Sequence, residues 1–382
     1  MNIVSWHPVL TDHQSHTLQA LEAAGGAKVT VVVANEEDAT RRAQGWTAAK
    51  VGSLEVRVLG ASEGLGGIRG MLQSHRDCVH LFGSPFDKPR FMLALWWALW
   101  MGLPVYLISE PYSTVAAGYL DDRQRWLAWA KSKLRPWVYR LYGRLLRRRV
   151  RGVFAISPLA IEQYRAIGIP LAKLHPFGYF VPRQAAQDTT TTPSRSRRRC
   201  RAVFIGNLIA RKGVRELAAA AKRLHVAGVD LQIDVYGAGD PSPFAFDGVS
   251  IRHAGTIPFG EAQSVIAAYD FLVLPSRYDG WGVVVNESVL AGVPVLCSDR
   301  VGAGAFVRKW DCGLTYPASS TEALESSLRT LSTDAPLRER LRAACLASRD
   351  RLAPEMAARY IIDVIAQDAR PGVPIVNPWY EA

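Results

Sequence analysis

Residues 275–295 read PSRYDGWGVVVNESVLAGVPV. The apolar segment Phe271–Pro275 predicts a strand that leads into this stretch, and a loop with Asp279 and two glycines follows it. The sequence then takes a helical pattern, and the apolar segment Val293–Ser298 predicts a second strand. A strand, a helix and another strand in so short a span predict a parallel sheet, because parallel strands require a crossover connection.

The same alternation extends through most of the chain. Further strands are predicted at Ile3–Trp6, Val29–Ala34, Val56–Leu59, Val79–Phe82, Val105–Ile108, Val153–Ile156, Ala202–Ile205 and Leu231–Tyr236, and helices at Ser15–Ala24, Pro158–Ala166, Val214–His225 and Pro354–Gln367. Short apolar strands that alternate with helices indicate parallel sheets covered on both faces. The fold class is therefore predicted as α/β.

The length of 382 residues favours two domains rather than one. The alternation stops at residues 184–199, which are polar, Thr-rich and basic and are typical of a linker. We predict a Rossmann-like, doubly wound domain at 1–183 and a second one at 200–353. The last segment, 354–382, should return to the first domain. Because open α/β sheets bind ligands at the carboxyl ends of their strands, we expect a site in a cleft between the domains.

Composition limits the partners. Apolar residues make up 49% of the chain, which argues against disorder, and the net charge of +12 suits an anionic partner. That partner could be nucleic acid, an acidic membrane surface or a phosphorylated substrate. The five cysteines are scattered without a Cys-x-x-Cys pair, so we expect neither a disulfide framework nor a zinc site, and a reducing cytoplasm fits them.

Two segments bear on the membrane. No basic leader with an apolar stretch is seen at the first residues, so no signal peptide is expected. Residues 91–108 carry no charge and reach the lower limit for a membrane-spanning helix. Gly102 and Pro104 interrupt them, however, and therefore predict a buried helix, Phe91–Met101, followed by the strand Val105–Ile108.

Two glycine turns follow strands of the second half. The first runs from Gly206 to Gly213, contains Arg211 and Lys212, and opens a helix. Backbone amides at a helix start and basic side chains both favour anions, so a diphosphate would fit this turn. The alternative is a basic surface turn that happens to start a helix. The second turn, at Gly237, suits a phosphate or a base edge, or is an ordinary connection.

The stretch 275–295 gives the most specific signal. Asp279 lies on its loop, and Glu287 follows eight positions later, one to two turns into the helix. Two carboxylates at different depths of one groove suit a ligand with hydroxyls at both ends. Alternatively, Asp279 caps the helix and Glu287 is solvated. The apolar neighbours of Glu287 favour instead a half-buried carboxylate that needs a partner.

This pattern resembles the donor-binding domain of glycosyltransferase family 4, a family with the GT-B fold. The hallmark of that family is two acidic residues separated by seven, followed by a small-residue helix and a Gly-x-Pro-Val strand. Asp279, Glu287 and Ala291–Val295 follow that pattern. The family's Gly-Arg-Leu-x-x-x-Lys-Gly turn aligns with residues 206–213. The resemblance covers residues 200–350 closely and the first half loosely.

The resemblance implies roles for the matching residues. Glu287 would hold the nucleotide ribose, Asp279 would lie beside the donor sugar, and Lys212 would contact the diphosphate. Backbone at Thr256 and Ile257 would recognise the base. Four consecutive residues would supply backbone amides to sugar and phosphate, namely Gly280, Trp281, Gly282 and Val283.

Two positions depart from the family pattern. The first acid is an aspartate, Asp279, where the family usually has the longer glutamate. Asn207 stands where the family usually has an arginine, and Arg211 is a candidate to compensate for it. Gly206, Asn207 and Gly237 remain donor-binding candidates, because neither departure abolishes phosphate binding on physical grounds.

Three residues of the first half are candidates for the acceptor side. Glu110 follows the strand Val105–Ile108 and could accept a proton from an acceptor hydroxyl, although a salt-bridged or capping glutamate is an equal alternative. His13 and His16 follow the first strand and could contact the acceptor or its phosphate, with His13 the better candidate. The alternative is a helix-start loop with exposed histidines. Ser109-Glu110 and Gly178-Tyr179-Phe180 resemble a bacterial surface-polysaccharide subset of the family.

Residues 121–151 combine basic and aromatic side chains. They include eleven Lys or Arg, interleaved with Trp126, Trp129, Trp137, Tyr139 and Tyr142. Such a helix can lie on an anionic membrane surface with its aromatic rings at the headgroup level. The alternatives are a helix that packs on its own domain with a basic outer face, and a nucleic-acid surface, for which no sequence-reading motif is found.

We therefore predict a glycosyltransferase that moves a sugar from a UDP-sugar or GDP-sugar to a hydroxyl of a lipid-linked glycan acceptor. The site would lie in the cytoplasm at the inner face of the plasma membrane. The resemblance implies retention of anomeric configuration, no metal and no cofactor beyond the nucleotide-sugar. The rivals are a nucleotide-sugar epimerase of the same fold and a non-catalytic partner subunit. A nicotinamide dehydrogenase is disfavoured, because the first strand runs into Trp6-His7-Pro8 instead of a glycine-rich turn.

Overall fold

The computed structural model describes eleven ranges of the chain: 1–25, 27–34, 49–60, 64–83, 88–111, 125–184, 199–244, 246–258, 260–318, 320–369 and 375–381. The chain divides into two compact units. The first comprises Met1–Tyr112, Trp129–Val181 and Ala353–Ala382, and the second comprises Ser113–Ala128 and Pro182–Leu352. Most of the predicted linker, 185–198, lies outside the described residues.

Each unit contains one parallel sheet. The first sheet has the strand order β3-β2-β1-β4-β5-β6-β7, and the second has the order β10-β9-β8-β11-β12-β13. The strands of the first are β1 Ile3–His7, β2 Val29–Val33, β3 Glu55–Val58, β4 Val79–Gly83, β5 Val105–Ser109, β6 Gly152–Ile156 and β7 Leu174–Phe177. Those of the second are β8 Cys200–Ile205, β9 Leu231–Tyr236, β10 Ile251–Gly255, β11 Phe271–Leu274, β12 Val295–Ser298 and β13 Gly313–Tyr316. In both sheets the order reverses beside the first strand, which confirms the predicted α/β, doubly wound class.

Helices connect the strands. In chain order they are α1 Asp12–Gly25, α2 Gly64–Ser74, α3 Pro89–Trp100, α4 Arg125–Leu146, α5 Pro158–Ala166, α6 Val214–Val226, α7 Ala262–Ile266, α8 Val283–Leu290, α9 Gly304–Lys309, α10 Thr321–Thr333, α11 Ala335–Ser348 and α12 Pro354–Ala369. Short 3₁₀ turns occur at Leu171–Lys173, Ala210–Lys212, Ser242–Phe244 and Arg349–Leu352. The central strands β1, β5, β6, β11 and β12 are buried along their whole length, which is the reason their sequences are largely apolar.

The last helix belongs to the first unit, where α12 packs along α1. The apolar residues buried in this pair of helices include Leu18, Leu21, Ala357, Ile361 and Val364. Burial of large apolar side chains stabilises by about 1.5–3 kcal/mol each, so this contact is sufficient to hold the C-terminal segment on the first unit.

The uncharged stretch 91–108 forms the helix α3 and then the strand β5, as predicted. One face of α3 is buried in the first unit through Phe91, Ala94, Leu95, Ala98 and Leu99. Among the described residues, no helix combines the length and the apolar character needed to cross a bilayer.

The sequence missed three strands: β7, β10 and β13. All three lie at edges of their sheets. An edge strand has one neighbour and is partly open to water, so it does not need a continuous apolar run. Accordingly, β10 reads IRHAG and β13 reads GLTY, and most of their residues are only half-buried.

The start of α6 requires a glycine. Gly213 has a φ of +71°, and a Cβ atom at this position would lie 1.9 Å from the carbonyl oxygen of Pro275. Gly228, at the end of the same helix, has a φ of +73° but has no atom within 4 Å of its hypothetical Cβ. A comparison of substitutions at the two glycines therefore separates the cost of backbone strain from the cost of a clash between two chain segments.

We expect Gly213→Ala to lower the free energy of unfolding by about 2–5 kcal/mol, since the cost of a left-handed alanine and the cost of its overlap with the Pro275 backbone add together. Gly228→Ala should cost only about 1–2 kcal/mol, the conformational term alone. Urea unfolding of both variants measures the difference. Equal losses in the two variants would show that the approach to Pro275 does not constrain the fold.

Candidate functional site

The two glycine turns of the second unit lie side by side. The amide of Gly206 donates to the carbonyl of Tyr236 at 2.9 Å, and the amide of Leu208 donates to the carbonyl of Ala238 at 2.8 Å. A Cβ atom on Gly237 would lie 1.9 Å from the carbonyl oxygen of Gly206. The backbones approach so closely only because glycine occupies position 237. Both turns follow parallel neighbouring strands and therefore lie at one edge of the sheet.

The next strand in the sheet, β11, brings the acidic loop to the same edge. The amide of Arg277 donates to the carbonyl of Arg211 at 2.8 Å, and the guanidinium of Arg211 donates to the carbonyl of Tyr278 at 2.7 Å. Arg277 also donates from Nε to Glu216 in the first turn of α6 at 2.8 Å. These contacts fix the basic turn against the acidic loop, and they give the Arg211 side chain a structural contact besides its predicted role.

Lys212 and Asp279 form an ion pair. The Nζ atom of Lys212 lies 2.6 Å from Oδ2 of Asp279, and the side chains are only 16% and 13% exposed. A charged pair that is largely removed from water interacts more strongly than a surface pair. The two residues predicted to contact the diphosphate and the donor sugar are thus brought together, although 67 positions separate them in the chain.

The loop after β12 holds the acidic loop from the other side. Asp279 donates its amide to Arg300 at 2.9 Å and accepts from the amide of Gly302 at 3.0 Å. The indole of Trp281 is 1% exposed and donates to Asn286 at 2.9 Å. Since the Trp281 side chain lies in the core, only its backbone remains for the predicted contact with a ligand.

The helix α8 begins directly behind this loop. Gly282 has a φ of +90° and precedes the helix, and no side chain of the described residues caps the first turn. The amides at Val283 and the following residue are therefore oriented as donors for an anion. Glu287 lies further along α8 and is half-buried, as expected. Burial raises the pKa of Glu287 to about 7, and no donor among the described residues contacts its carboxyl.

The remaining donor-side candidates lie on neighbouring connections. Thr256 and Ile257 follow β10, whose last residue Gly255 accepts from the amide of Gly237 at 2.9 Å. Asn207 is half-buried in the first glycine turn. The candidates from four adjacent strands, β10, β9, β8 and β11, are therefore assembled at the carboxyl edge of the second sheet.

The first unit assembles a second cluster at the carboxyl edge of its own sheet. Glu110 follows β5 and accepts a short hydrogen bond from the hydroxyl of Tyr179, which follows β7. The ring of His13 lies 4.0 Å from the ring of Tyr179, measured between centroids, and the His13 Nε2 atom is 2.9 Å from the hydroxyl of Thr11. Glu110 and His13 were predicted separately, and the structure brings them together through Tyr179.

His16 lies elsewhere, on the half-buried side of α1. Burial lowers the pKa of His16, the charge of Asp12 opposes this effect, and Lys50 and Glu355 act on it with opposite signs. The structure therefore groups His13, but not His16, with Glu110.

Sequence reasoning did not identify two of these contacts. Tyr179 belongs to the stretch Gly178-Tyr179-Phe180 that resembles a subset of the family, but nothing in the sequence links it to Glu110, 69 positions away. The ion pair of Arg277 and Glu216 had no local signal either, since both residue types are common on surfaces.

Comparison with known proteins gives a match for each half of the chain. Residues 199–334 match the family described as glycosyl transferases group 1. Residues 11–179 match the family described as glycosyl transferase 4-like domain.

Individual relatives cover parts of the chain. The alpha-D-kanosaminyltransferase of Streptomyces kanamyceticus is 26% identical over 214 residues, which are 52% of this chain and 53% of that protein. The lipopolysaccharide glucosyltransferase of Escherichia coli K12 is 27% identical over 140 residues, 35% of this chain and 37% of the relative. The matched part thus spans about half the length of the first relative and less of the second. The crystal structure of Anabaena HepE in complex with UDP and glucose has a TM-score of 0.69 at 12% identity and covers 96% of this chain and 100% of its own.

The raised pKa of Glu287 predicts a pH-dependent stability. Below its ordinary pKa of 4.5 the carboxyl is protonated in the folded and the unfolded chain. As pH rises from 4.5 towards the folded pKa of about 7, only the unfolded chain ionises, so the folded state loses stability, and above about 7 the loss stays constant. Glu287→Gln should therefore raise the melting temperature at pH 8 and have little effect near pH 4.5.

Thermal unfolding at several pH values measures this, with Glu261→Gln, a change at an exposed glutamate of the same unit, as the matched control. A melting-temperature gain for Glu287→Gln that is the same at every pH would contradict the raised pKa.

Proposed function

Because the chain belongs to the family 4-like glycosyltransferases of the GT-B fold, we propose that it transfers a sugar from a UDP-sugar or GDP-sugar to a hydroxyl of a lipid-linked glycan. Family membership confirms the resemblance seen in the sequence and rests on the two matches, which together span most of the chain. The relative that acts on lipopolysaccharide supports a role in bacterial surface polysaccharide synthesis.

One observation carries the donor half of the proposal. The partly desolvated pair of Lys212 and Asp279 lies among glycine turns whose backbones can approach a ligand closely. On arrival of the donor, Lys212 would exchange its contact with Asp279 for the diphosphate, and Asp279 would accept a hydrogen bond from the sugar. Glu287 would accept from the ribose hydroxyls, which supply the donors that its carboxyl has not found among the described residues.

Catalysis in this proposal is electrostatic. As the bond between sugar and diphosphate breaks, negative charge grows on the departing phosphate. Lys212 and the amides at the start of α8 are oriented towards such a charge before the reaction, so little reorganisation is needed. No metal takes part in this scheme, and the sugar keeps its anomeric configuration.

On the acceptor side, we propose that Glu110 accepts the proton of the attacking hydroxyl. It ends a parallel strand, where α/β sheets place their sites, and its side chain is exposed at the edge of the sheet. Tyr179 contacts the Glu110 carboxyl directly, and His13 lies against the Tyr179 ring. His13 would contact the acceptor or its phosphate.

The helix α4 supports a peripheral position at the inner face of the plasma membrane. Five apolar side chains spaced along one face of α4 are between 44% and 69% exposed: Leu134, Trp137, Val138, Leu141 and Leu145. Arg140, Arg144 and Arg148 lie among or just beyond them and are exposed. The opposite side of α4 is packed, since Leu146 is fully buried and a Cβ atom on Gly143 would lie 2.0 Å from the carbonyl oxygen of Ile167. An exposed apolar stripe among cations suits an anionic bilayer better than it suits the alternative in which these residues form core.

The decisive experiment screens UDP-sugars and GDP-sugars with a bacterial membrane lipid extract as acceptor and identifies the products by mass spectrometry. A mass gain of one sugar on a lipid-linked glycan is the expected result. An isomerised donor sugar in the absence of extract would establish the epimerase instead. Calorimetric titration that shows binding of neither UDP nor GDP would indicate a non-catalytic subunit.

We expect Lys212→Ala to reduce turnover by about 100-fold to 1,000-fold, the usual loss when one group that stabilises the departing charge is removed. The fold should persist, because Lys212 lies in a short turn outside the strands of the sheet. Lys222→Ala, a change of the same residue type within α6, should leave turnover unchanged. Turnover like that of wild type in Lys212→Ala would remove this residue from the mechanism.

The double substitution Trp137→Ser with Leu141→Ser should weaken binding to vesicles of phosphatidylglycerol and phosphatidylcholine at least about tenfold, because each buried apolar side chain contributes about 1.5–3 kcal/mol. Val226→Ser, at a residue that is 88% exposed on the second unit, is the matched control. Sedimentation with vesicles measures both. Equal binding of wild type to pure phosphatidylcholine vesicles would contradict the anionic surface.

A further inference from the structure

The C-terminal tail, residues 375–381, is anchored in the sheet of the first unit. Trp379 and Tyr380 are 0% and 2% exposed. The Tyr380 hydroxyl donates to the carbonyl of Ala155 in β6 at 2.7 Å and accepts from the amide of Phe177 in β7 at 2.9 Å. One tail hydroxyl thus bridges the ends of β6 and β7, because the carbonyl of Ala155 and the amide of Phe177 face each other across the parallel register.

The same junction holds a strained residue. Ser157, directly after β6, has a φ of +82° and a ψ of 159°, a combination that residues other than glycine rarely adopt. Its amide donates to the carbonyl of Phe177 at 3.1 Å, and the Tyr380 hydroxyl lies 3.0 Å from that carbonyl. Such backbone strain persists only where the surrounding contacts over-determine the conformation, and the tail supplies some of those contacts.

The ring of Trp379 fixes the chain just beyond β7. Its centroid lies 5.7 Å from that of Phe177 and 4.7 Å from that of Phe180, and the ring of Tyr360 on α12 covers its other edge at 5.1 Å. Phe177 and Phe180 are themselves buried. The two residues between them are Gly178 and Tyr179, so the tail holds the peptide that carries Tyr179 at both of its ends.

Tyr179 in turn donates to Oε1 of Glu110. We propose that the C-terminal tail is a positioning element for the acceptor side: Trp379 and Tyr380 hold residues 177–180 so that the Tyr179 hydroxyl orients the Glu110 carboxylate. A hydrogen bond to one carboxylate oxygen restricts rotation of the group and thereby sets the direction of the other oxygen towards the acceptor hydroxyl. The tail residues act through Tyr179 and are positioning residues, not catalytic ones. The assignment of Glu110 to the acceptor rests on the proposed function.

The mechanical part of this proposal is tested by hydrogen exchange in the full chain. Tyr380→Phe keeps the ring but removes the acceptor of the Phe177 amide, so peptides covering residues 174–181 should exchange at least about tenfold faster, as expected when one hydrogen bond is lost. Tyr106→Phe removes a hydroxyl that bonds Asp368 elsewhere in the same unit and is the matched control. Peptides from residues 200–298 should be unaffected by either change. Unchanged exchange at 174–181 in Tyr380→Phe would overturn the proposal.

The catalytic part is tested with UDP-glucose, or the nucleotide-sugar that wild-type turnover identifies, and the membrane lipid extract. Trp379→Ala and Tyr179→Phe should each lower kcat at saturating acceptor about tenfold, the change expected for one lost hydrogen bond or its misalignment. The KM for the donor should not change. Trp379→Phe, which preserves an aromatic ring against Phe180, should restore most of the rate. A donor KM that rises by the same factor as kcat falls, or a Trp379→Phe variant that does not recover the rate, would indicate that the tail has a merely structural role.

The two proposals fail separately. Wild-type protein that transfers no sugar from any donor contradicts the proposed function, whereas hydrogen exchange still decides whether the tail holds residues 177–180. If wild type transfers sugar and Trp379→Ala and Tyr179→Phe do so at the same rate, the proposed glycosyltransferase activity is supported and the positioning role is contradicted.

Discussion

The close approach of backbones at the carboxyl edge of the second sheet is the constraint on which the donor side depends. Gly213 and Gly237 each lie where a single added carbon would come within 1.9 Å of a backbone oxygen of a neighbouring turn or loop. Because these turns are in contact, the basic turn and the acidic loop become one rigid surface. The backbone amides are then in place before any ligand binds, and in the proposed function only Lys212 would have to exchange its contact with Asp279, which limits the reorganisation needed for electrostatic stabilisation.

The charges on that surface are arranged at some cost. Lys212 and Asp279 satisfy each other in a largely desolvated pair, whereas Glu287 is half-buried among valines with a raised pKa and no donor among the described residues. A fold selected for stability alone would not retain such a carboxyl. A ligand that brings hydroxyl donors to Glu287 and a phosphate to Lys212 would relieve both costs, and a nucleotide-sugar has both groups.

The candidate residues of the first unit are held in place differently. Its cluster of Glu110, Tyr179 and His13 is held by side chains rather than by glycine turns, and the peptide of Tyr179 depends on contacts from the far end of the chain. The return of α12 to the first unit is what makes these contacts possible, since Trp379 and Tyr380 follow that helix. The C-terminal segment therefore serves both the stability of the first unit and the geometry of its sheet edge.

The sequence by itself determined the features that are local or periodic. The alternation of buried strands and helices, the glycine turns, and the spacing of Asp279 and Glu287 are all patterns within short stretches, and they were sufficient to predict the fold class and the donor-side candidates. The edge strands β10 and β13 escaped detection because partial exposure removes the apolar run that reveals central strands. The edge strand β7 is largely buried, and it escaped detection because His175 and Pro176 interrupt its short apolar pattern. Only the tertiary structure decided that Lys212 pairs with Asp279, that Tyr179 joins Glu110 to His13, and that Tyr380 bonds Phe177. These contacts join residues 67, 69 and 203 positions apart, and no local pattern encodes which distant side chains the packing of a sheet brings together.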